Sequence, residues 1–315
     1  MMTASDGDAR FRGVFAIPPT PFDDDWQVDE RSLRRAVEFT VQAGAHGIVA
    51  PVNASEGIIL TDAERLLVAE ILVDQTAGRV PVIIGVSGVS TAASALYARH
   101  AASIGADAVI AMPPYVKHAP PSEIIVFYAA LAAASDGLPV WIQNNPGPVG
   151  TPMSAELMAR ILNESPAVRF IKEESEHAPQ VISRVRALAG GQLGGVMGGM
   201  GGRFMLEEYR RGSCGTMPAA EVADAHVLVW NALEGGDLDE ARRLHNFLLP
   251  LLNYEALYTS AIYKEILVRR GIIASSRSRL PGAAQLDDEN QREIDALLRD
   301  LAPLLTLGLQ PEIDI

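Results

Sequence analysis

The chain has 315 residues, 48% of them hydrophobic and 21% charged, with a formal net charge of −13. That length suits one large α/β barrel or two smaller domains, and the apolar share is ample for a core. The acidic balance argues against nucleic acid or an anionic membrane as a partner, because either would select a basic face.

Met1 to Arg12 are polar and charged, and no apolar run approaches membrane-spanning length, so a cytoplasmic protein is expected. From Gly13 onward, short β-branched runs alternate with longer segments of helical spacing. The expected strands are Gly13–Ile17, Gly47–Pro51, Pro81–Val86, Ala108–Met112, Pro139–Gln143, Val168–Lys172, Gly195–Met197 and Cys214–Met217. Asp29 opens the first helix, which places Leu33, Ala36, Val37 and Val41 on one side and closes at Gly44. Thr61-Asp62-Ala63-Glu64 has the form of a capping box, in which hydroxyl and carboxylate satisfy early amides reciprocally. Ser90, Ser122 and Ser154 are the expected caps of later helices. Eight such units, with strands about 20–35 residues apart, predict a closed (β/α)8 TIM barrel over residues 1–223.

After Pro218 the pattern becomes helical. The spacing predicts helices over Val227–Leu233, over Leu238–Gly271 with a break near Asn253, and over Gln291–Leu304. No low-complexity linker precedes them, so residues 224–315 are expected to form a helical region packed on the barrel. The single cysteine, Cys214, excludes an internal disulfide and reads as a small buried hydrophobe. The six histidines (46, 100, 118, 177, 226, 245) are dispersed without metal-ligand spacing, so no metal is expected. His177 lies a few residues past a lysine of interest and could reach the same end of the barrel. The run Gly194–Gly202 lacks the Lys-Ser/Thr ending of a phosphate loop and is read as a close-approach turn offering backbone around Gly198.

The lysine of interest is Lys172, at the end of Val168-Arg169-Phe170-Ile171-Lys172-Glu173-Glu174. Catalytic groups of such barrels gather at the C-terminal ends of strands. Strand alternation turns Phe170 and Lys172 inward, Ile171 and Glu173 toward the helices, and Glu174 back toward the mouth. An amine held at an apolar inner rim is desolvated, which favours its neutral, nucleophilic form. A surface lysine beside two glutamates would look the same in isolation, although lysine is scarce here, the others being Lys117 and Lys264.

The residues around it carry a resemblance. Gly13 to Phe22 resembles an opening strand with its Thr-Pro-Phe turn. Asn53-Ala54-Ser55-Glu56 stands where a Gly-Thr-Thr-Gly-Glu loop would, Ala111 to Tyr115 is similar to a Pro-Pro-Tyr stretch, and Phe170 to Glu173 to the segment bearing a Schiff-base lysine. Lys264 to Gly271 resembles a C-terminal helix motif. Together these identify the chain, over roughly residues 12 to 305, as similar to the dihydrodipicolinate synthase / N-acetylneuraminate lyase family. The resemblance implies a barrel with C-terminal helices, a homotetramer, a small 2-oxo acid substrate, and covalent catalysis through Lys172 without a cofactor.

Members that make dihydrodipicolinate relay protons through two tyrosines and a threonine and hold a carboxylate with an arginine. The corresponding positions here are Gln143, Val116, Asn53 and Pro148. An amide cannot carry a proton as a phenol can, and valine is inert. Dihydrodipicolinate synthesis is therefore not expected. Asn53, Ser55, Gln143 and Asn144 instead put amides and a hydroxyl at the barrel mouth, suited to hydrogen-bonding a polyol, with Ala54 a further expected substrate contact; each is also an ordinary loop or strand residue taken singly. The set, with the segment Pro250 to Glu255, looks similar to the subgroup that dehydrates 2-keto-3-deoxy sugar acids such as 2-keto-3-deoxy-L-arabonate. Dehydration is the favoured reaction, with a pyruvate-dependent aldolase or a non-catalytic sugar-acid-binding barrel as alternatives. Glu174 is the expected acid/base and Ser175 its helper, while Tyr115 either lines the pocket or wedges a loop.

Overall fold

The structure, a computed structural model, describes residues 9–145 and 150–307. Eight parallel strands close into a barrel in chain order: β1 Gly13–Ala16, β2 Gly47–Ala50, β3 Val82–Gly85, β4 Ala108–Ala111, β5 Val140–Asn144, β6 Val168–Glu173, β7 Gly195–Gly198 and β8 Gly215–Thr216. Each expected strand is present within two residues of its expected ends, the glycine-rich seventh included. Parallel strands covered on both faces need apolar residues on both, and every strand residue except Arg169 is buried.

The inward side chains fill the lower barrel. Phe15, Val49, Ile83, Ile110, Trp141, Phe170 and Met197 pack with Phe11 beneath them. Trp141 and Phe170 stack at 4.5 Å between ring centroids, and Phe11 meets Phe170 edge-on at 5.1 Å. The alternate residues, among them Ile48, Ile84, Val109, Ile142, Ile171 and Val196, pack against the surrounding helices.

Those helices are α1 Glu30–Gln42, α2 Asp62–Thr76, α3 Thr91–Ser103, α4 Pro121–Ala134, α5 Ala155–Glu164, α6 Ala178–Ala189, α7 Met205–Arg210 and α8 Ala223–Glu234. Asp29 accepts from the Ser32 amide, Thr61 and Glu64 form the reciprocal box, and Ser90 and Ser154 cap α3 and α5. Ser122 does not cap α4. That helix starts one residue earlier, at Pro121, whose fixed φ and missing N–H suit the first helical position.

Three further helices follow: α9 Leu238–Tyr258, α10 Ser260–Arg269 and α11 Asp288–Leu301. α8 packs on β1 as the eighth helix of the barrel, its Val227 and Trp230 sharing a cluster with Val14. A division at 223/224 therefore cuts that helix from the barrel it completes. Met205 and Leu206 join Leu244, Leu248, Ile262 and Ile294 in the same cluster, so α9–α11 are continuous with the barrel core. The break expected near Asn253 lies instead at Thr259: α9 runs unbroken through Pro250 and Asn253, held by buried Leu244, Leu248, Leu251 and Leu252. Among the described residues no helix is long and apolar enough to cross a membrane.

Candidate active site

Phe170 is part of the inner core and Lys172 stands one pleat above it, 3% exposed, where the packed core ends. Its Nζ lies 3.1 Å from Glu174 Oε1. Glu174 is just past the strand, and its other oxygen accepts a 2.9 Å bond from Gln143 Nε2. Gln143 is the register partner of Lys172 on β5, so the amide, the amine and the carboxylate form one row across two strands. Gln143 Oε1 is buried with no partner in the structure, leaving an acceptor at the floor of the site. Gln143 thus orients Glu174 and carries no proton itself.

Glu173 faces the helices, as strand alternation requires. Asn144 Nδ2 donates to it at 2.8 Å and the Ser175 amide at 2.7 Å. Burial nonetheless holds its carboxyl above the usual range, with the Glu174 charge adding to the rise. On the same side, burial and then the charges of Glu173, Glu174 and Glu207 push Glu208 up to about 8.

The other buried lysine is differently placed. Lys264 is bound to the Glu56 carboxylate and donates to the Arg277 carbonyl at 2.7 Å, over the Phe22 ring. Burial lowers its pKa, with Glu56 opposing. Its hydrogen bonds tie α10 to the loop after β2, while the Lys172 amine opens onto a cavity.

That cavity, about 360 Å³, lies between the strand ends and the C-terminal helices. Lys172, Glu174, Asn53 and Ala54 line its barrel side, Met200 and Arg203 the loop after β7, and Glu255, Thr259 and Tyr263 its roof. Burial, then the Glu221 charge, hold the Glu255 carboxyl well above the usual range, with Arg203 opposing. Burial and the charges of Glu255, Glu221 and Glu174 raise the Tyr263 phenol well above 10.

The glycine-rich loop after β7 makes a close approach, and what it approaches is a pair of carboxylates. A Cβ at Gly199 would lie 2.5 Å from Glu174 Cγ, and one at Gly201 (φ +68°) 3.3 Å from Glu255 Oε2. His226 and His245 hold the loop from behind through the Gly201 and Gly202 carbonyls, at 2.9 and 3.0 Å.

Of the residues singled out in the sequence, Lys172, Glu174, Gln143, Asn53 and Ala54 come together here. Others do not. Ser55 Oγ accepts from the Val52 amide at 3.1 Å, its side chain turned into its own loop. Asn144 is fully buried and spends its amide on Met153 and Glu173. Ser175 serves Glu173, facing the helices. The side-chain direction of Gly198 points at Glu208, outside the barrel. Tyr115 is half-buried near Arg65 and Tyr97, away from the cavity lining. Val116 is 75% exposed, and the His177 side chain 73% exposed. Pro148 lies outside the described residues.

Sequence reasoning missed Arg203 and Tyr263 and noted Glu255 only as the end of the segment Pro250 to Glu255, because local pattern could not direct any of them to the barrel mouth. Arg203 also corrects an argument, because a guanidinium lines the cavity even though none stands at position 148. A further signal was Glu221, a carboxylate just beyond β8, at the C-terminal end of a barrel strand, where such folds gather their catalytic groups. Among the described residues no group of three or more His, Cys, Asp or Glu is arranged to hold a metal ion.

A family profile described as the dihydrodipicolinate synthetase family matches residues 10–301. An L-2-keto-3-deoxyarabonate dehydratase of Azospirillum brasilense is 33% identical over 300 residues, covering 94% of this chain and 96% of that protein. A 4-hydroxy-tetrahydrodipicolinate synthase of Methanothrix thermoacetophila is 32% identical over 296 residues, covering 93% and 98%. The crystal structure of dihydrodipicolinate synthase from Rhodopseudomonas palustris superposes with a TM-score of 0.85 at 30% identity, covering 93% of this chain and 98% of that one.

Proposed function

Because the chain belongs to the dihydrodipicolinate synthetase family, a family of lyases, we propose that it forms a Schiff base through Lys172 and dehydrates a 2-keto-3-deoxy sugar acid such as 2-keto-3-deoxy-L-arabonate. The observation that carries the reading is the Lys172–Glu174 contact of 3.1 Å on the wall of a cavity, with Gln143 bonded to the carboxylate. Glu174 takes the ammonium's proton, so that the amine can attack C2 of the keto acid, and returns it to the C2 oxygen, which leaves as water. Once the iminium forms, the C3 hydrogens are acidified and the same carboxylate is within reach to remove one. The resulting enamine expels the C4 hydroxyl as water.

The competing route is retro-aldol cleavage, which needs a base on the C4 hydroxyl. The relay positions of the dihydrodipicolinate-forming members hold an amide and a surface valine here. Tyr263 is the one phenol among the lining residues, and its strongly raised pKa makes it a poor base near neutrality. Dehydration asks for neither phenol. The dehydratase named among the relatives supports the same choice of substrate class.

Borohydride reduction in the presence of pyruvate or a 2-keto-3-deoxypentonate, followed by peptide mass spectrometry, should add the ligand's mass at Lys172. No adduct, with unchanged behaviour of Lys172→Ala, overturns the enzyme in favour of a binding barrel. Release of free pyruvate as the main product, in place of a dioxo acid, overturns the dehydratase in favour of an aldolase. The proposal extends to a cytoplasmic homotetramer, checked by sedimentation.

A further inference from the structure

The reaction proposed above needs more acid–base capacity than Glu174 supplies. A 2-keto-3-deoxypentonate that loses its C4 hydroxyl must also lose a C5 hydrogen for the terminal carbinol to end as an aldehyde. We propose that Glu255, on the cavity roof, protonates the leaving C4 hydroxyl and then takes the C5 hydrogen, with Glu221 as its proton-sharing partner; this rests on the dehydratase reading.

Glu255 is 3% exposed, lines the cavity, and has one carboxyl oxygen, Oε1, with no hydrogen-bond partner. Glu221 is fully buried and neither of its oxygens has a donor. Yet the two carboxyls meet each other. Two acceptors that meet form a bond only when one carries a proton, and two carboxylates buried together cannot both be charged. The pair is therefore built to share one proton, and burial is the larger cause that favours it on Glu255. The groups facing it are Arg203 from the loop after β7, Tyr263 from α10, and Glu174 beyond the phenol. The histidines behind the loop are committed to backbone carbonyls. The two working carboxyls meet one loop at glycines two residues apart, Glu174 against Gly199 and Glu255 against Gly201, and both line the cavity that Lys172 lines.

The protons then balance. Glu174 takes a C3 hydrogen and its electrons form the enamine. These electrons expel the C4 oxygen, which leaves as water with the Glu255 proton, giving a conjugated iminium. The spent Glu255 carboxylate, buried beside Glu221, is a strong base and removes a C5 hydrogen to give a dienamine. Glu174 returns its proton to C3. Hydrolysis frees Lys172, and the C5 enol becomes the aldehyde in water. Each carboxyl ends as it began, and the net change is loss of one water.

The test compares Glu255→Gln with the wild type on 2-keto-3-deoxy-L-arabonate and on pyruvate. Borohydride trapping at Lys172 and deuterium exchange of the pyruvate methyl should persist within about threefold, while dioxo-acid formation falls by about 100-fold, the usual scale for losing a general acid. Glu221→Gln removes a charge that raises the Glu255 pKa, so its rate should fall off at lower pH than the wild type on the alkaline side. Turnover by Glu255→Gln within threefold of wild type, a parallel loss of exchange and turnover, or an unmoved alkaline limb in Glu221→Gln would each overturn the assignment. Failure of the wild type itself to trap pyruvate or to dehydrate the keto acid sinks the underlying reading, a distinct result.

Discussion

Glu208 offers a measurable consequence of the charge arrangement behind β6. Its carboxyl lies against Gly198 with Oε2 unpartnered, and burial raises it from 4.5 to about 8. An acid whose folded pKa is raised stabilises the fold least where the unfolded chain has already ionised. Its contribution is intact below pH 4.5, declines by about 1.4 kcal/mol per pH unit, and levels off above pH 8. Glu208→Gln keeps the shape and removes the titration. The variant's stability relative to the wild type should therefore rise by about 2 kcal/mol between pH 6 and 8 and change by only a few tenths from 8 to 9. Denaturant midpoints at pH 6, 7, 8 and 9 measure this directly, and the slope m reports whether the transition is comparable in the two proteins. Parallel stability curves with a constant gap would refute the reasoning, since they would mean that Glu208 titrates alike in the folded and unfolded chains.

Gly199→Ala should lower turnover at least about tenfold with little loss of fold, because a Cβ 2.5 Å from Glu174 Cγ must push that carboxylate off Lys172; an unchanged kcat refutes it. Asn144→Ala should cost about 3 kcal/mol in chemical denaturation by stripping Met153 and buried Glu173 of their bonds. Its KM should hold, and a raised KM with unchanged stability would return Asn144 to the substrate. Thr259 adopts φ 49°, ψ −127° at the α9–α10 junction, a conformation costly for a β-branched residue and open to glycine. Thr259→Gly should stabilise the chain by about 1 kcal/mol after the entropy of the unfolded glycine is counted, and a drop in melting temperature would show that its hydroxyl or methyl matters more than the backbone.

The eight strands were legible because a parallel sheet buried on both faces must be written in short β-branched runs, and Lys172 at the end of one of them departs from that pattern. Strand alternation also sorted Glu173 from Glu174 correctly, a distinction that needs no neighbour. The same rule, applied to β5, would have turned Asn144 outward once Gln143 was turned inward, so that misplacement was avoidable. Ser55 and Gly198 were not decidable from pattern, because a loop hydroxyl serves its own backbone or a ligand equally well until the loop is folded.

What the sequence determined alone was the barrel and the place of Lys172 in it, since both follow from local periodicity and from which end of a strand carries a charge. Only the tertiary structure decided the roof. Glu255 and Tyr263 lie on helices about eighty residues beyond the lysine, and Arg203 on a loop between. They line the same cavity as Lys172 because α9 runs on past Asn253 and turns at Thr259, and no pattern within a helix states which strand end it will cover. A buried carboxyl pair is likewise invisible in one dimension: Glu221 and Glu255 are ordinary glutamates until packing removes the water and brings them together.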